Sequence, residues 1–298
     1  LWVGSRNAGL LRFDGRRFLP VETVDGSRLQ NNSISVLRPG RDGALWIGHG
    51  SGGLSVLQHG RYRHLLTPDE SGSVFAIAPD ADGAAWVAGW RGLFRVEGGR
   101  VVRVGAELGY DGKRAEYVLA DGAGRIWVAD GAALYLREAG ARQFHQVRPV
   151  RGDAMLLEAQ DGSVWLVLGK QFERVAPPTP RHLPAPKASA SSFQSLFDRD
   201  GNVWSGNCPV GLCVLRPAGW QRSERFTPVG AAERLDQPWQ MTSLSVTSLM
   251  EDADGSIWVG TPSGLERLRG HVVHMVPELL DRGMTQAALH PDGGVVAV

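Results

Sequence analysis

Side chains that could bind a ligand recur shortly after each of a series of tryptophans in this 298-residue sequence. They follow their tryptophan by three to six residues, where an apolar run ends. The set comprises Arg6, Asn7, His49, Trp90, Arg91, Asp130, Lys170, Gln171, Asn207 and Thr261. Varied polar and aromatic side chains gathered on one concave surface of a constant scaffold are typical of a ligand site. Polar residues are also ordinary in loops, so a purely structural role is the alternative.

Three other patterns suggest chemistry, but each has a simpler interpretation. Residues 48–53, GHGSGG, have the spacing of a dinucleotide-binding loop, yet a strand pattern follows instead of the required helix. Acidic pairs such as Asp252 and Asp254 lack the further ligands of a calcium loop and are typical of turns. His271 and His274 fall on opposite faces of a predicted strand, which excludes a shared metal. We therefore predict no cofactor, no metal and no catalytic group.

Residues 246–269, VTSLMEDADGSIWVGTPSGLERLR, show which elements position these side chains. An Asp-Gly pair between two apolar runs predicts a β-hairpin. Gly264 permits a second turn before a third strand, and residues 271–276 alternate as a fourth. The repeating unit is therefore a four-stranded antiparallel meander.

This unit recurs along the whole chain, marked by tryptophans 38–54 residues apart, six of them with a glycine three residues earlier. The marker residues are Trp2, Trp46, Trp86, Trp127, Trp165, Trp204 and Trp258. Such a period predicts an all-β, seven-bladed β-propeller with four-stranded antiparallel blades, formed as a single domain by residues 1–298. In a propeller the turns after the tryptophan strands lie at one end of the ring. The candidate side chains are therefore expected around one mouth of the channel.

Three parts of the chain depart from the regular repeat. The first blade lacks an innermost strand at its start, and we expect residues 284–290 to supply it, so that both termini close the ring. The proline-rich segment 176–192 predicts a short or absent outer strand in the fifth blade. An insertion at 219–243 contains Trp220 and Trp239, and we expect it to lie on one face and to serve binding.

The overall composition argues against two classes of partner. A net charge of +1 provides no field that would attract nucleic acid, and no apolar run is long enough for direct membrane insertion. Arginines on the predicted outer strands block pairing between sheet edges, or alternatively form a basic belt that binds polyanionic glycans. Because the chain begins inside a strand without methionine, we expect it to be part of a longer protein.

Cys208 and Cys213 flank the turn between the second and third strands of the sixth repeat. Adjacent antiparallel strands bring Cβ atoms into disulfide range, so a bridge is possible and would imply an oxidising compartment. Two free, buried thiols are the alternative.

The repeats NSISVLRPGRDGALWIGHGSGGLSVL and TSLSVTSLMEDADGSIWVGTPSGLERL resemble the two-component regulator propeller repeat. The resemblance implies a periplasmic sensor region of an inner-membrane protein whose output is often a histidine kinase or a diguanylate cyclase. It also implies a carbohydrate or other small ligand. Implied partners are a neighbouring propeller, an immunoglobulin-like domain of the same chain, or a second copy in a homodimer.

We therefore predict an extracytoplasmic ligand-sensing propeller that is not itself an enzyme. One alternative is a streptogramin-lyase-like propeller, in which His49 and Asp130 would supply the catalytic histidine and the acidic metal ligand. Another is a protein-interaction platform without a small ligand.

Overall fold

The computed structural model describes two compact units, residues 1–268 and 269–298, which are treated separately. The described residues are 1–14, 16–40, 43–80, 83–180, 189–191, 194–208, 211–228, 233–234, 241, 243–268, 287–289 and 295–297. Within these ranges no helix is long and apolar enough to cross a membrane.

The first unit is a seven-bladed β-propeller of small antiparallel sheets, as the tryptophan period predicts. Blades 1 and 2 are built from consecutive strands, with a small hairpin between them. Blade 1 contains β1 (Trp2–Ser5), β2 (Gly9–Phe13) and β3 (Phe18–Pro20). The hairpin consists of β4 (Thr23–Val24) and β5 (Ser27–Arg28). Blade 2 contains β6 (Ile34–Pro39), β7 (Leu45–His49), β8 (Leu54–Gln58) and β9 (Arg61–Leu66).

Blades 3 and 4 follow the same plan with four consecutive strands each. A one-turn helix, α1 (Pro68–Ser71), leads into blade 3, and 3-10 turns occur at Ala106–Leu108 and Pro217–Gly219. Blade 3 contains β10 (Val74–Pro79), β11 (Ala85–Gly89), β12 (Gly92–Glu97) and β13 (Arg100–Val104). Blade 4 contains β14 (Tyr117–Ala120), β15 (Ile126–Ala129), β16 (Ala133–Arg137) and β17 (His145–Pro149).

Blades 5 to 7 exchange strands. Their consecutive strands are β18 (Ala154–Glu158), β19 (Val164–Leu168) and β20 (Gln171–Ala176) in blade 5, then β22 (Ser195–Phe197), β23 (Val203–Cys208) and β24 (Gly211–Leu215) in blade 6. Blade 7 contains β27 (Ser248–Glu251), β28 (Ile257–Thr261) and β29 (Gly264–Leu268). The added strands are β21 (Ser189–Ser191), which pairs with β27, and two from the insertion, β25 (Arg225–Phe226) on β20 and β26 (Glu233–Arg234) on β24.

The outer strand of blade 5 is therefore short, as the prolines predict, but it comes from the connection between β24 and β26 of blade 6. In the described part of the insertion, Trp220 is only 1% exposed and packs edge-on to Trp165 with 5.6 Å between ring centroids. The Trp220 indole also donates a 2.9 Å hydrogen bond to the Gly201 carbonyl. The described part of the insertion thus completes a blade and fills the core.

The second unit contributes β30 (Ala287–Leu289) and β31 (Val295–Ala297), which pair antiparallel. Of the predicted closing strand, residues 284–290, only 287–289 are described. The predicted fourth strand of blade 7, residues 271–276, lies outside the described residues, as do Trp239, His271 and His274.

The tryptophan strands form the core because neighbouring blades cover both of their faces. Every residue of β7 and β11 is buried, whereas the outer strand β13 exposes three of its five residues. Burial on both faces explains why the tryptophan strands are continuous apolar runs and do not alternate.

A carboxylate clamp explains the spacing of the turn before the tryptophan in blades 4, 6 and 7. In blade 4 the Asp121 carboxylate accepts hydrogen bonds from the Arg125 amide at 2.9 Å and from the Trp127 indole at 2.8 Å. Asp198 with Trp204 and Asp252 with Trp258 repeat the arrangement at 2.7 and 2.8 Å. The turn glycine has a positive φ, 82° in Gly124 and 81° in Gly255, which disfavours other residues there. The acidic residues of these turns therefore have structural partners.

Candidate functional site

Three chain segments meet at one end of blades 3 and 4. The Trp90 amide donates to the Ser73 carbonyl at 2.9 Å, and the Ala115 amide donates to the Gly89 carbonyl at 3.0 Å. These bonds hold the β11–β12 turn beside the start of β10 and the segment that leads into β14. The turn bearing Trp90 is therefore fixed by backbone contacts on both sides.

A β-bulge presents an aromatic side chain at this point. The pairing of β10 with β11 shifts register between Val74 and Ala76, so Phe75 is the extra residue. Bulges re-aim side chains and are over-represented beside functional sites. Here the Phe75 ring lies edge-on to the Trp90 indole, with 6.5 Å between centroids and 71° between planes.

Arg114 completes the cluster. Its guanidinium carbon lies 4.9 Å from the Trp90 ring centroid and 5.6 Å from that of Phe75, within the range of cation–π attraction. The guanidinium also donates to the Glu116 carboxylate. Trp90 remains 57% exposed, although large apolar side chains are normally covered. We call Phe75, Trp90, Arg114 and Glu116 the platform.

The charges around the platform are mixed. Burial raises the pKa of Glu116, Arg114 opposes that shift, and Asp153 and Asp130 add to it. The carboxylate of Asp130 accepts hydrogen bonds from the amides of Ala132 and Ala133 at 2.9 and 2.7 Å, so it organises its own turn. A partly buried carboxylate beside a guanidinium and an exposed indole can hold a ligand that has both hydroxyl groups and an apolar face.

Two tyrosines anchor the segment that carries Arg114. The Tyr110 hydroxyl donates to the Arg114 carbonyl at 2.6 Å, and the Tyr135 hydroxyl donates to Asp111 at 2.7 Å. Their rings lie edge-on to each other with centroids 5.0 Å apart. Tyr110 is fully buried. Arg114 is therefore presented from a rigid support.

The other predicted side chains lie in or directly beside the turns that follow their own tryptophan strands. Arg6, Asn7, Lys170 and Gln171 are exposed. The Asn207 side-chain amide donates to the Gly169 carbonyl at 3.2 Å and so links blades 5 and 6. The Thr261 hydroxyl donates to the Gly264 carbonyl at 3.1 Å, which closes its hairpin. Of the predicted set, Trp90 belongs to the platform and the exposed Arg91 follows it directly in the same turn.

His49 departs from the expectation that it lines the mouth. It is fully buried, and its Nε2 lies 2.9 Å from the Ser55 hydroxyl, which is 3.0 Å from His64 Nδ1. Burial, together with a smaller contribution from nearby His64, lowers the pKa of His49 to about 4. His49 is therefore neutral near pH 7 and enclosed, and Asp130 is bound to its own turn.

Phe75, Arg114 and Glu116 were not among the predicted residues. Phe75 stands in an apolar run that indicates core, and no sequence signal marks the bulge that redirects it. Arg114 and Glu116 precede an inner strand, whereas the prediction considered the turns after the tryptophan strands. A search for charged residues before each inner strand would have found them.

Cys208 and Cys213 are joined by a disulfide, with 6.0 Å between their Cα atoms. The bond connects β23 to β24 beside the turn of blade 6. It therefore fixes one loop at the same end of the blades as Asn207.

Comparison with known proteins supports the propeller fold and the repeat. Residues 240–263 match the family model described as two component regulator propeller, which confirms the resemblance seen in the repeats. A search of curated proteins gives no match.

Solved structures with a similar fold include two sensor domains from B. thetaiotaomicron. The extracellular domain of a proposed hybrid two component system matches with a TM-score of 0.67 and 15% identity over 89% of this chain and 38% of that chain. The extracellular domain of a proposed one component system matches with a TM-score of 0.63 and 18% identity, over 90% and 36%. This chain thus spans little more than a third of those chains. At such identities the likeness concerns the fold.

A streptogramin B lyase structure is similar to the same extent. Its TM-score is 0.63 at 13% identity, covering 90% of this chain and 89% of that chain. The propeller fold therefore does not by itself distinguish a sensor from an enzyme.

Proposed function

We propose that this chain, which carries the two component regulator propeller repeat, is the ligand-sensing propeller of a bacterial receptor and acts outside the cytoplasm. The similar extracellular sensor domains support this assignment. The disulfide of blade 6 is consistent with an oxidising compartment such as the periplasm. The observation that carries the proposal is the exposed Trp90 held between Phe75 and Arg114 at the end of the blades.

The chemistry of the platform favours a carbohydrate fragment as ligand. An exposed indole offers a flat apolar surface for the C–H face of a sugar ring. Arg114 and Glu116 lie beside it and supply a donor and an acceptor for hydroxyl groups. Ligand sites combine apolar area with a few placed polar groups in this way.

The signal would pass through the way the propeller docks on its neighbour. If the ligand binds one docked arrangement more tightly, its differential affinity shifts the equilibrium towards that arrangement. The neighbour in this proposal is a further propeller, an immunoglobulin-like domain of the same protein, or a second copy of this chain.

Calorimetric titration of the chain with neutral and acidic oligosaccharides tests the ligand site. We expect one oligosaccharide class to bind and Trp90→Ala to weaken binding roughly tenfold, because an aromatic stacking surface is lost. Phe18→Ala is the matched control, since Phe18 is also an exposed aromatic residue, at 40%, but lies in the outer strand of blade 1. It should leave the affinity unchanged.

Three results would overturn the proposal. Equal affinity of the Trp90→Ala variant and the unaltered chain would place the ligand elsewhere. Turnover of streptogramin B, abolished in a His49→Ala variant, would establish the lyase alternative. Recovery of protein partners while every oligosaccharide fails to bind would favour an interaction platform.

A further inference from the structure

A groove of about 610 Å³ lies between the β4–β5 hairpin and the outer edge of blade 2. Its lining includes Asp25, Gln58, His59, Arg61 and Arg63. None of these residues belongs to the platform. The volume is within the range of small-molecule sites, and the lining includes two arginines, Arg61 and Arg63, against one carboxylate, Asp25.

The two turns that line the groove are tight hairpin turns. Asp25, with φ 45°, and His59, with φ 50°, are each followed by a glycine with φ 75°, so both turns have the type I′ pattern that two-residue hairpin loops favour. Both turns contribute residues to the wall of the groove.

Hydrogen bonds fix the floor of the groove. The Tyr62 amide donates to the Ser27 hydroxyl at 2.9 Å, and that hydroxyl donates to the Val24 carbonyl at 2.6 Å. The buried Tyr62 hydroxyl donates to the Val21 carbonyl. The hairpin is therefore tied to β9 along its length, and the groove exists before any ligand arrives.

The two arginines of the groove differ in their ion pairing. Arg61 and Arg63 are two residues apart in β9, so they project to the same side about 7 Å from each other. Arg61 pairs with Asp25 at 2.8 Å, and the side chains are 70% and 64% exposed. Arg63 forms no ion pair with any carboxylate of the described residues. An ion pair this exposed contributes little to stability, so another anion can replace Asp25.

We propose that this groove binds the oxyanion group of a small ligand, a phosphate, sulfate or carboxylate. Arg63 supplies a guanidinium that no carboxylate of the described residues neutralises, and Asp25 occupies Arg61 until the ligand displaces it. Planar guanidinium groups match the oxygens of such anions in paired hydrogen bonds. This site is independent of the proposed sensing platform and does not require it.

Four ligands built on one sugar test the proposal and distinguish the anion: glucose 6-phosphate, glucose 6-sulfate, glucuronate and glucose. Calorimetry at low ionic strength should show binding of at least one charged ligand and none of glucose. Added salt should weaken that binding, because exposed charges are screened. The charged ligand that binds most tightly identifies the preferred oxyanion.

Substitutions in the chain then locate the site. We expect Arg63→Gln to weaken binding roughly tenfold, since it removes a charge-assisted contact. Its control is Arg16→Gln, an exposed arginine of blade 1 with the same change in net charge. Asp25→Asn should strengthen binding roughly fivefold because it frees Arg61. Asn-Gly is a favoured type I′ sequence, so the turn is retained.

Partial unfolding of the Asp25→Asn variant would only weaken binding, so it cannot produce the tighter binding that we predict for this variant. Asp200→Asn, an exposed change of equal charge in blade 6, controls for the overall field. Equal losses in the Arg63→Gln and Arg16→Gln variants, weaker binding by Asp25→Asn, or binding of glucose as tight as that of the anions would each overturn the proposal.

Discussion

The ring of Phe13 in blade 1 lies edge-on to the indole of Trp258 in blade 7, with 6.2 Å between centroids and 67° between planes. This contact joins the first and last blades within residues 1–268. It shows that side chains of the tryptophan strand and its neighbour take part in closing the ring.

Replacing Phe13 with alanine should weaken that closure. We expect a loss of about 2 kcal/mol in the free energy of unfolding, from lost apolar burial and from the aromatic pair. Urea denaturation followed by tryptophan fluorescence measures it. Phe18→Ala is the control, because Phe18 stacks on Phe13 at 4.8 Å but is 40% exposed. Equal losses in the two variants would contradict a special role for the Phe13–Trp258 contact.

The Asp121 clamp should contribute far more to the free energy of unfolding than an exposed turn aspartate does. Asp121 is 1% exposed, and Asp121→Ala leaves the Trp127 indole and two backbone amides without their acceptor. We expect a loss of about 3 kcal/mol, because buried donors remain unpaired.

The matched comparison is Asp161→Ala in blade 5. Asp161 is exposed and accepts only from Ser163, while Ser163 itself holds the Trp165 indole at 2.8 Å. A loss of about 1 kcal/mol is expected there. Thermal or urea unfolding of both variants measures the two losses in the free energy of unfolding. Similar losses would show that the Asp121 clamp contributes no more to stability than the exposed Asp161.

His49 should make the protein sensitive to mild acid. Its pKa falls from 6.5 to about 4 on folding because burial disfavours the charged imidazole. Between these pH values the unfolded chain binds more protons than the folded chain, so stability falls as the pH is lowered through this window and is fully present above it. The loss amounts to at most about 3 kcal/mol.

Urea denaturation at several pH values from 7 to 4 tests the role of His49. The His49→Gln variant should lack this part of the acid dependence, whatever its stability at neutral pH. His145→Gln replaces an exposed histidine of blade 4, and this variant should retain the acid dependence of stability. If His49→Gln and the unaltered chain lose stability in parallel, the imidazole does not control the acid response.

The strand that blade 5 receives should be the first part of that blade to open when its aromatic contact is removed. Phe226 stacks on Phe172 at 4.7 Å between centroids and lies edge-on to Trp165 at 5.1 Å. We expect Phe226→Ala to speed tryptic cleavage at Arg222 or Arg225 roughly tenfold, because a loss of over 1 kcal/mol raises the open population by that factor. Mass spectrometry identifies the cleaved bonds. Unchanged cleavage would mean that β25 is held by its other contacts.

Those other contacts include an ion-pair triad. Glu173 accepts from Arg148 and Arg225, each at 2.8 Å, and hydrogen bonding to Arg148 lowers the pKa of Glu173, with Arg225 acting in the same direction. A double variant with Glu173→Gln should therefore open further than Phe226→Ala alone.

The sequence predicted the propeller because its signals are local and repeated. Each Asp-Gly turn and each tryptophan strand can be recognised within a dozen residues, and seven copies reinforce one another. The outer strand of blade 5 could not be found this way. Arg225 and Phe226 form a two-residue strand with no periodicity, and their partner β20 is some fifty residues earlier in the chain.

The candidate site was predictable in position but less so in composition. Trp90 was found because its place after a tryptophan strand fixes the end of the blade where it lies. Phe75 was missed because a bulge depends on pairing that the sequence does not display. His49 was placed at the mouth by the same positional rule, but the neighbouring Ser55 and His64 give it partners inside blade 2.

The connection between β24 and β26, which gives blade 5 its outer strand β25, has a consequence for the order in which the chain can fold during synthesis. β18 to β20 leave the ribosome well before residues 225–226, so the fifth sheet stays incomplete until the first three strands of the sixth have emerged. A deletion of the sixth repeat would also remove the outer strand of the fifth sheet. The two repeats are therefore coupled through one shared strand.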